Sequence, residues 1–170
     1  MRKLTEVEQL FRAHYSSMYR AAKHIVKDNQ AAKDIVQEAF YQFWKSKDQL
    51  DSNADVREFL FRTTVKLSVE HIKKNSSGTS LAEELKLSKS ISSYNPFDKS
   101  FSRELKSGFM KVIMSLSPRC QAIFMMSTYN GMGSKEIAAA MGISVRTVES
   151  QMSIALKQLE VDEAFSRKGE

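Results

Sequence analysis

With one cysteine in 170 residues, Cys120, the chain cannot close an internal disulfide or build a cysteine-based zinc site, and a reducing cytosol is its simplest setting. No apolar run approaches the roughly 20 residues that cross a bilayer. The N-terminus lacks a secretory hydrophobic segment. The expectation is a cytoplasmic protein with no membrane insertion. Two prolines and six glycines leave few breakers, and no stretch alternates as a strand would. Catalytic apparatus is missing as well. His14, His24 and His71 lack metal-ligand spacing, no glycine loop could cradle a phosphate, and Cys120 has no paired base. The first turn of a helix can lower a thiol pKa, yet a buried, inert thiol is the stronger reading of Cys120. We therefore expect no enzyme, no metal and no cofactor.

What is present is charge of one sign. The formal net charge is +6 and the isoelectric point about 9.4, which suits a polyanionic partner. Residues 1–74 hold 14 Lys/Arg against 10 Asp/Glu and residues 105–160 hold 6 against 3, whereas 75–104 are balanced at 4 against 4. Two basic segments thus flank a neutral connector.

Thr5 and Glu8 read as a capping box for a first helix that carries Val7, Leu10, Phe11, Met18, Ala22 and Ile25 and ends near Asp28-Asn29. A second helix, 30–46, should bury Ala32, Ile35, Ala39, Phe40 and Phe43. Asp55 and Glu58 open a third that runs to about Lys74. Three such helices can close a small core. Residues 75–100 contain eight serines, one glycine and one proline, and read as a linker with one helical turn at LAEELKL. Phe101, Leu105, Phe109, Val112 and Leu116 then fall in helical register, and Ser117-Pro118 restarts a helix with serine as cap and proline first. The last ten residues read as a frayed tail. The fold expected is all-α: two small helical domains, 1–74 and 105–160, joined by a flexible linker, 75–104, with 161–170 as tail.

The stretch 134–159, SKEIAAAMGISVRTVESQMSIALKQL, is the most specific in the chain. Ser134 can cap a short helix bearing Ile137, Ala138 and Met141, and Gly142 can end it in a left-handed turn that lets Ile143 point inward. Ser144 can cap a second helix with Val148, Met152, Ala155 and Leu159 on one face, leaving Arg146, Glu149, Ser150, Ser153 and Lys157 outward. That is a helix-turn-helix, against the plainer alternative of a helical hairpin. In a major groove Arg146 could reach a phosphate or a guanine edge, with Glu149, Ser150 and Ser153 on the base-reading side. Lys135, Lys157 and the helix start at Ser134 are better placed for phosphates.

Two further groups stand out. Asp34, Gln37 and Glu38 share one exposed helix face, which is either a solvated face or an acceptor-rich patch for arginines of a partner protein. Arg62, Lys66 and Lys73 form one stripe on the third helix, with Lys74 beside it, matching a nucleic-acid footprint or a solubilising face. Phe59, Phe61 and Trp44 are either core residues or stacking surfaces for an unpaired base, and Trp44 is read as core.

Together these residues resemble the sigma factors of bacterial RNA polymerase, specifically the small extracytoplasmic-function class. AAKDIVQEAFYQFW resembles the region-two helix that binds the clamp helices of the polymerase β′ subunit, with the family's acidic and glutamine positions at Asp34, Gln37 and Glu38. LSPRCQAIFMMSTYNGMGSKEIAAAMGISVRTVESQMSIALKQL resembles region four, whose helix-turn-helix reads the promoter element near minus thirty-five. The resemblance spans roughly 8–74 and 105–160 and implies core polymerase and promoter DNA as partners, with an anti-sigma factor as a further one. The third helix departs from the family pattern: Phe59 replaces a tryptophan, Lys66 an asparagine involved with the melted minus-ten strand, Glu70 an aspartate and Lys73 an arginine. Gln151 stands where a histidine is common. A stand-alone helix-turn-helix regulator with dimerising N-terminal helices is the main alternative, and the DIVQEAF helix and serine-rich linker count against it. A helical hydrolase lacks any acid–base constellation.

Overall fold

A computed structural model describes residues 2–50, 56–75 and 103–168. Among these residues all regular structure is helical: α1 (Arg2–Val26), α2 (Asn29–Ser46), α3 (Val56–Asn75), α4 (Arg103–Ser115), α5 (Pro118–Thr128), α6 (Ser134–Met141) and α7 (Val145–Lys168). The chain divides into two compact units, Met1–Asn75 and Ser76–Glu170. The expected linker falls almost wholly outside the described residues, as do Asp55 and Phe101.

In the first unit each of α1, α2 and α3 packs against the other two. Alanines at the crossings (Ala21, Ala22, Ala32 and Ala39, all 0% exposed) let the backbones approach, and Met18, Ile25, Leu60 and Phe61 fill the space between them. All five residues expected to be buried on α2 are buried, together with Val36. α3 also buries Thr63, Thr64 and Ser68, and the Ser68 hydroxyl donates to the Thr64 carbonyl at 2.7 Å. The turn between α1 and α2 is tight. Lys27 takes a left-handed φ of 58° while its N–H bonds the Lys23 carbonyl, and Asp28 caps α2 by accepting from Ala31 N–H at 2.6 Å.

Besides the start of α6, two helix boundaries differ from expectation. α1 begins at Arg2, so Thr5 lies inside the helix and is not its cap. Glu8 is engaged forward instead, by Arg12 one turn on at 2.6 Å. α7 continues to Lys168 where a frayed tail was expected. No glycine or proline occurs between Leu159 and Lys168, so nothing stops the helix once it has propagated that far.

In the second unit α7 packs against α4, α5 and α6. Met110, Ile113, Ile123, Met125, Met126, Ile137 and Met141 form its core. Ser117 caps α5 as expected, accepting from Cys120 N–H at 3.3 Å with Pro118 at the first helical position. Buried Gln121 ties the α4–α5 turn, its amide donating to the Met114 carbonyl at 3.0 Å.

Candidate nucleic-acid interface and docking face

The α6–α7 pair is built by two local devices. Gly142 takes φ 64° and ψ 39°; its N–H reaches the Ala139 carbonyl at 3.4 Å and Ile143 N–H reaches that of Ala138 at 3.0 Å. This doubly bonded left-handed ending satisfies carbonyls that the helix leaves open. Ser144 then starts α7, accepting from Thr147 N–H at 3.1 Å. Ile143 is half-buried. Ser134 does not cap α6: the cap position is Gly133, without a side-chain bond, because the helix begins one residue earlier than the serine would require.

On α7, Val148 and Ala155 are fully buried and Met152 and Leu159 half-buried. Arg146, Glu149, Ser150, Ser153 and Lys157 are all exposed. At 3.6 residues per turn those five share an arc of about 100°, opposite the buried residues. Lys135 is exposed on α6. Ile154 and Leu156, each 50% exposed, flank the polar arc.

Cys120 stabilises α7 from behind. It is 1% exposed, and its thiol donates to the Gln151 carbonyl at 3.3 Å. Burial pushes its pKa above the ordinary 9.0, partly offset by the Ala155 backbone, so the helix start does not activate it.

On α2, Asp34, Gln37 and Glu38 are exposed on one face. Asp34 accepts from the Gln30 amide and Glu38 from the Gln42 amide, each at 3.0 Å. On α3, Lys66 and Lys73 are exposed, whereas Arg62 is half-buried and lies 3.8 Å from Glu58 one turn earlier. The basic stripe therefore contains an acid at its upper end. Phe61 is core at 0% exposure, and half-buried Phe59 meets Phe43 edge-on at 5.8 Å. Trp44, expected in the core, is 38% exposed with Lys47 Nζ 3.3 Å above its ring. It sits one step beyond the buried edge marked by Phe40 and Phe43, which leaves it partly exposed. Tyr41 is 54% exposed on the same side and was not singled out by the sequence, although it lies four residues from Gln37. Among the described residues no group of acidic, histidine or cysteine side chains could hold a metal ion, and no helix is long and apolar enough to cross a membrane.

Comparison with known proteins falls on the same two regions. Residues 10–78 match the family model for Sigma-70 region 2, and residues 108–159 that for Sigma-70, region 4. The RNA polymerase sigma factor NccH of Alcaligenes xylosoxydans xylosoxydans is 25% identical over 156 residues, covering 89% of this chain and 83% of its own. Two solved structures are also similar. CnrH in complex with the cytosolic domain of CnrY matches at TM-score 0.40 and 20% identity, over 91% of this chain and 85% of the other. The sigma factor RpoE of Bartonella quintana, in complex with the anti-sigma factor NepR, matches at 0.42 and 18%, over 94% and 97%. Matched in both of its units, the chain belongs to the sigma-70 family, as a sigma factor that directs promoter-specific transcription.

Proposed function

We propose that this sigma factor, of the extracytoplasmic-function class, docks on the β′ clamp helices of core polymerase through Asp34, Gln37 and Glu38. The first turns of α7 read the minus-thirty-five element, and the α3 stripe of Arg62, Lys66 and Lys73 follows DNA near minus ten. One observation carries the reading: five exposed polar side chains occupy a single arc of a helix whose opposite side is anchored by buried Val148 and Ala155. A rigid helix with one wet, hydrogen-bonding face fits a major groove. Lys157, farther along the same face, and Lys135 on α6 serve as phosphate contacts, and the α6 N-terminus, which no side chain caps, offers backbone N–H groups. The protein acts as a cytoplasmic binding subunit and not as a catalyst. An anti-sigma factor, the kind of partner NepR is for RpoE, would restrain it by covering these surfaces.

Two basic units on one tether cooperate in binding DNA only when a third body fixes their spacing. The free protein should therefore bind promoter duplex weakly, and core polymerase should confer specific transcript starts. Run-off transcription with and without core tests this. Tight, palindrome-specific binding by the free protein would point to a stand-alone regulator.

A further inference from the structure

We propose that Phe11, Tyr41 and Trp44 extend the docking face of the first unit into an aromatic platform for arginine side chains of the polymerase surface. The proposal rests on the docking role assigned above to Asp34, Gln37 and Glu38. Among the described residues, the exposed large apolar side chains of this unit are Phe11 at 38%, Tyr41 at 54% and Trp44 at 38%. They are not scattered. Gln37, Tyr41 and Trp44 follow at i, i+4 and i+7 on α2, a single stripe. Phe11 comes from α1, and its ring centroid is 5.0 Å from that of Phe40, which lies between Gln37 and Trp44 along α2. Exposed aromatic side chains that cluster in this way are enriched at interface centres.

The chemistry of the occupant follows from two contacts. Lys45 Nζ lies 5.2 Å from the Tyr41 centroid and Lys47 Nζ 3.3 Å from that of Trp44, so both rings already hold a cation on the face. A planar guanidinium stacks on such a ring better than an ammonium does. Among the described residues, Asp34 and Glu38, one to two turns away, accept hydrogen bonds only from the neutral amides of Gln30 and Gln42, which leaves the carboxylates open to a cationic partner. Guanidinium groups satisfy carboxylates and rings alike. A single nucleic-acid strand stacked on Tyr41 and Trp44 would instead bring its phosphates toward two carboxylates. The two carboxylates therefore favour a basic protein surface.

The test uses the full-length protein and core polymerase. Tyr41→Ala and Trp44→Ala should each weaken core binding by about tenfold or more, with unchanged melting curves, and Trp44→Phe should retain most of the affinity. Trp44 is the sole tryptophan. Replaced by 5-hydroxytryptophan, it can be excited apart from the polymerase's own tryptophans, and it should shift to the blue and become shielded from acrylamide on binding core. This second reading needs no destabilising variant. If the aromatic variants bind like the parent and the probe stays quenchable, while Asp34, Gln37 and Glu38 changed together to alanine abolish binding, the platform is refuted and the docking face stands. Parental binding by that triple variant as well would overturn both. Loss of single-stranded promoter DNA with core affinity intact would assign the rings to nucleic acid and overturn the proposal.

Discussion

Replacing Lys157 and Ser153 one at a time by alanine should separate two kinds of DNA contact on α7. Both side chains are exposed, and neither forms a hydrogen bond or ion pair with another described residue. Alanine at either position should therefore leave stability within about 0.5 kcal/mol of the parent. Any change in promoter use then belongs to binding. Each phosphate contact contributes about 0.9 to the slope of log affinity against log salt, so losing one reduces the penalty of moving from roughly 50 to 200 mM salt by about 3.5-fold. Lys157→Ala should show that flattening and weaken all promoters alike, and Lys135→Ala should behave the same way. Ser153→Ala, and likewise changes at Glu149 or Ser150, should leave the salt slope in place and alter individual base-pair preferences by about 1–3 kcal/mol. Transcription of a randomised minus-thirty-five library at two salt concentrations reads both quantities at once. The orientation of α7 drawn above is refuted if Glu149 and Ser153 variants keep the parental preference while Lys135→Ala changes it.

Three other expectations concern the frame that holds these surfaces. Lys27 pays for a left-handed backbone at φ 58°, so Lys27→Gly should stabilise the first unit by about 0.5–1 kcal/mol, seen as a raised denaturant midpoint. Gly142→Ala should cost about 1–2 kcal/mol in the second unit and loosen promoter binding, because φ 64° at the α6–α7 turn disfavours any Cβ; an unchanged melting curve would contradict that turn geometry. The Cys120 pKa is raised by burial, so the folded state holds the thiol proton more firmly than the unfolded chain does. Its contribution to stability is complete below pH 9.0 and declines as pH rises through the folded value, and thiol-reactive probes should label Cys120 only as fast as the unit unfolds. Rapid labelling of the native protein at neutral pH would show the thiol to be accessible.

Short-range rules account for what the sequence determined by itself. The cap at Ser117, the start of α7 at Ser144 and the left-handed ending at Gly142 each depend on one residue and its bonding within a single turn, so they appear where the residues are. The exposed arc of Arg146, Glu149, Ser150, Ser153 and Lys157 follows from helical periodicity alone. Tertiary structure decided the rest. Thr5-x-x-Glu8 has the spacing of a capping box, yet Arg12 competes for Glu8 and the helix runs past Thr5, because spacing does not say which of two partners a carboxylate takes. Arg62 belongs to a basic stripe by periodicity, but packing half-buries it near Glu58. Trp44 and Phe61 are both large aromatics in amphipathic helices. One is 38% exposed and the other 0%, since burial depends on how α1, α2 and α3 cross and not on the side chain's own hydrophobicity. That crossing is fixed only when all three helices pack, and it is what leaves Trp44 and Tyr41 facing outward beside the acceptors of α2.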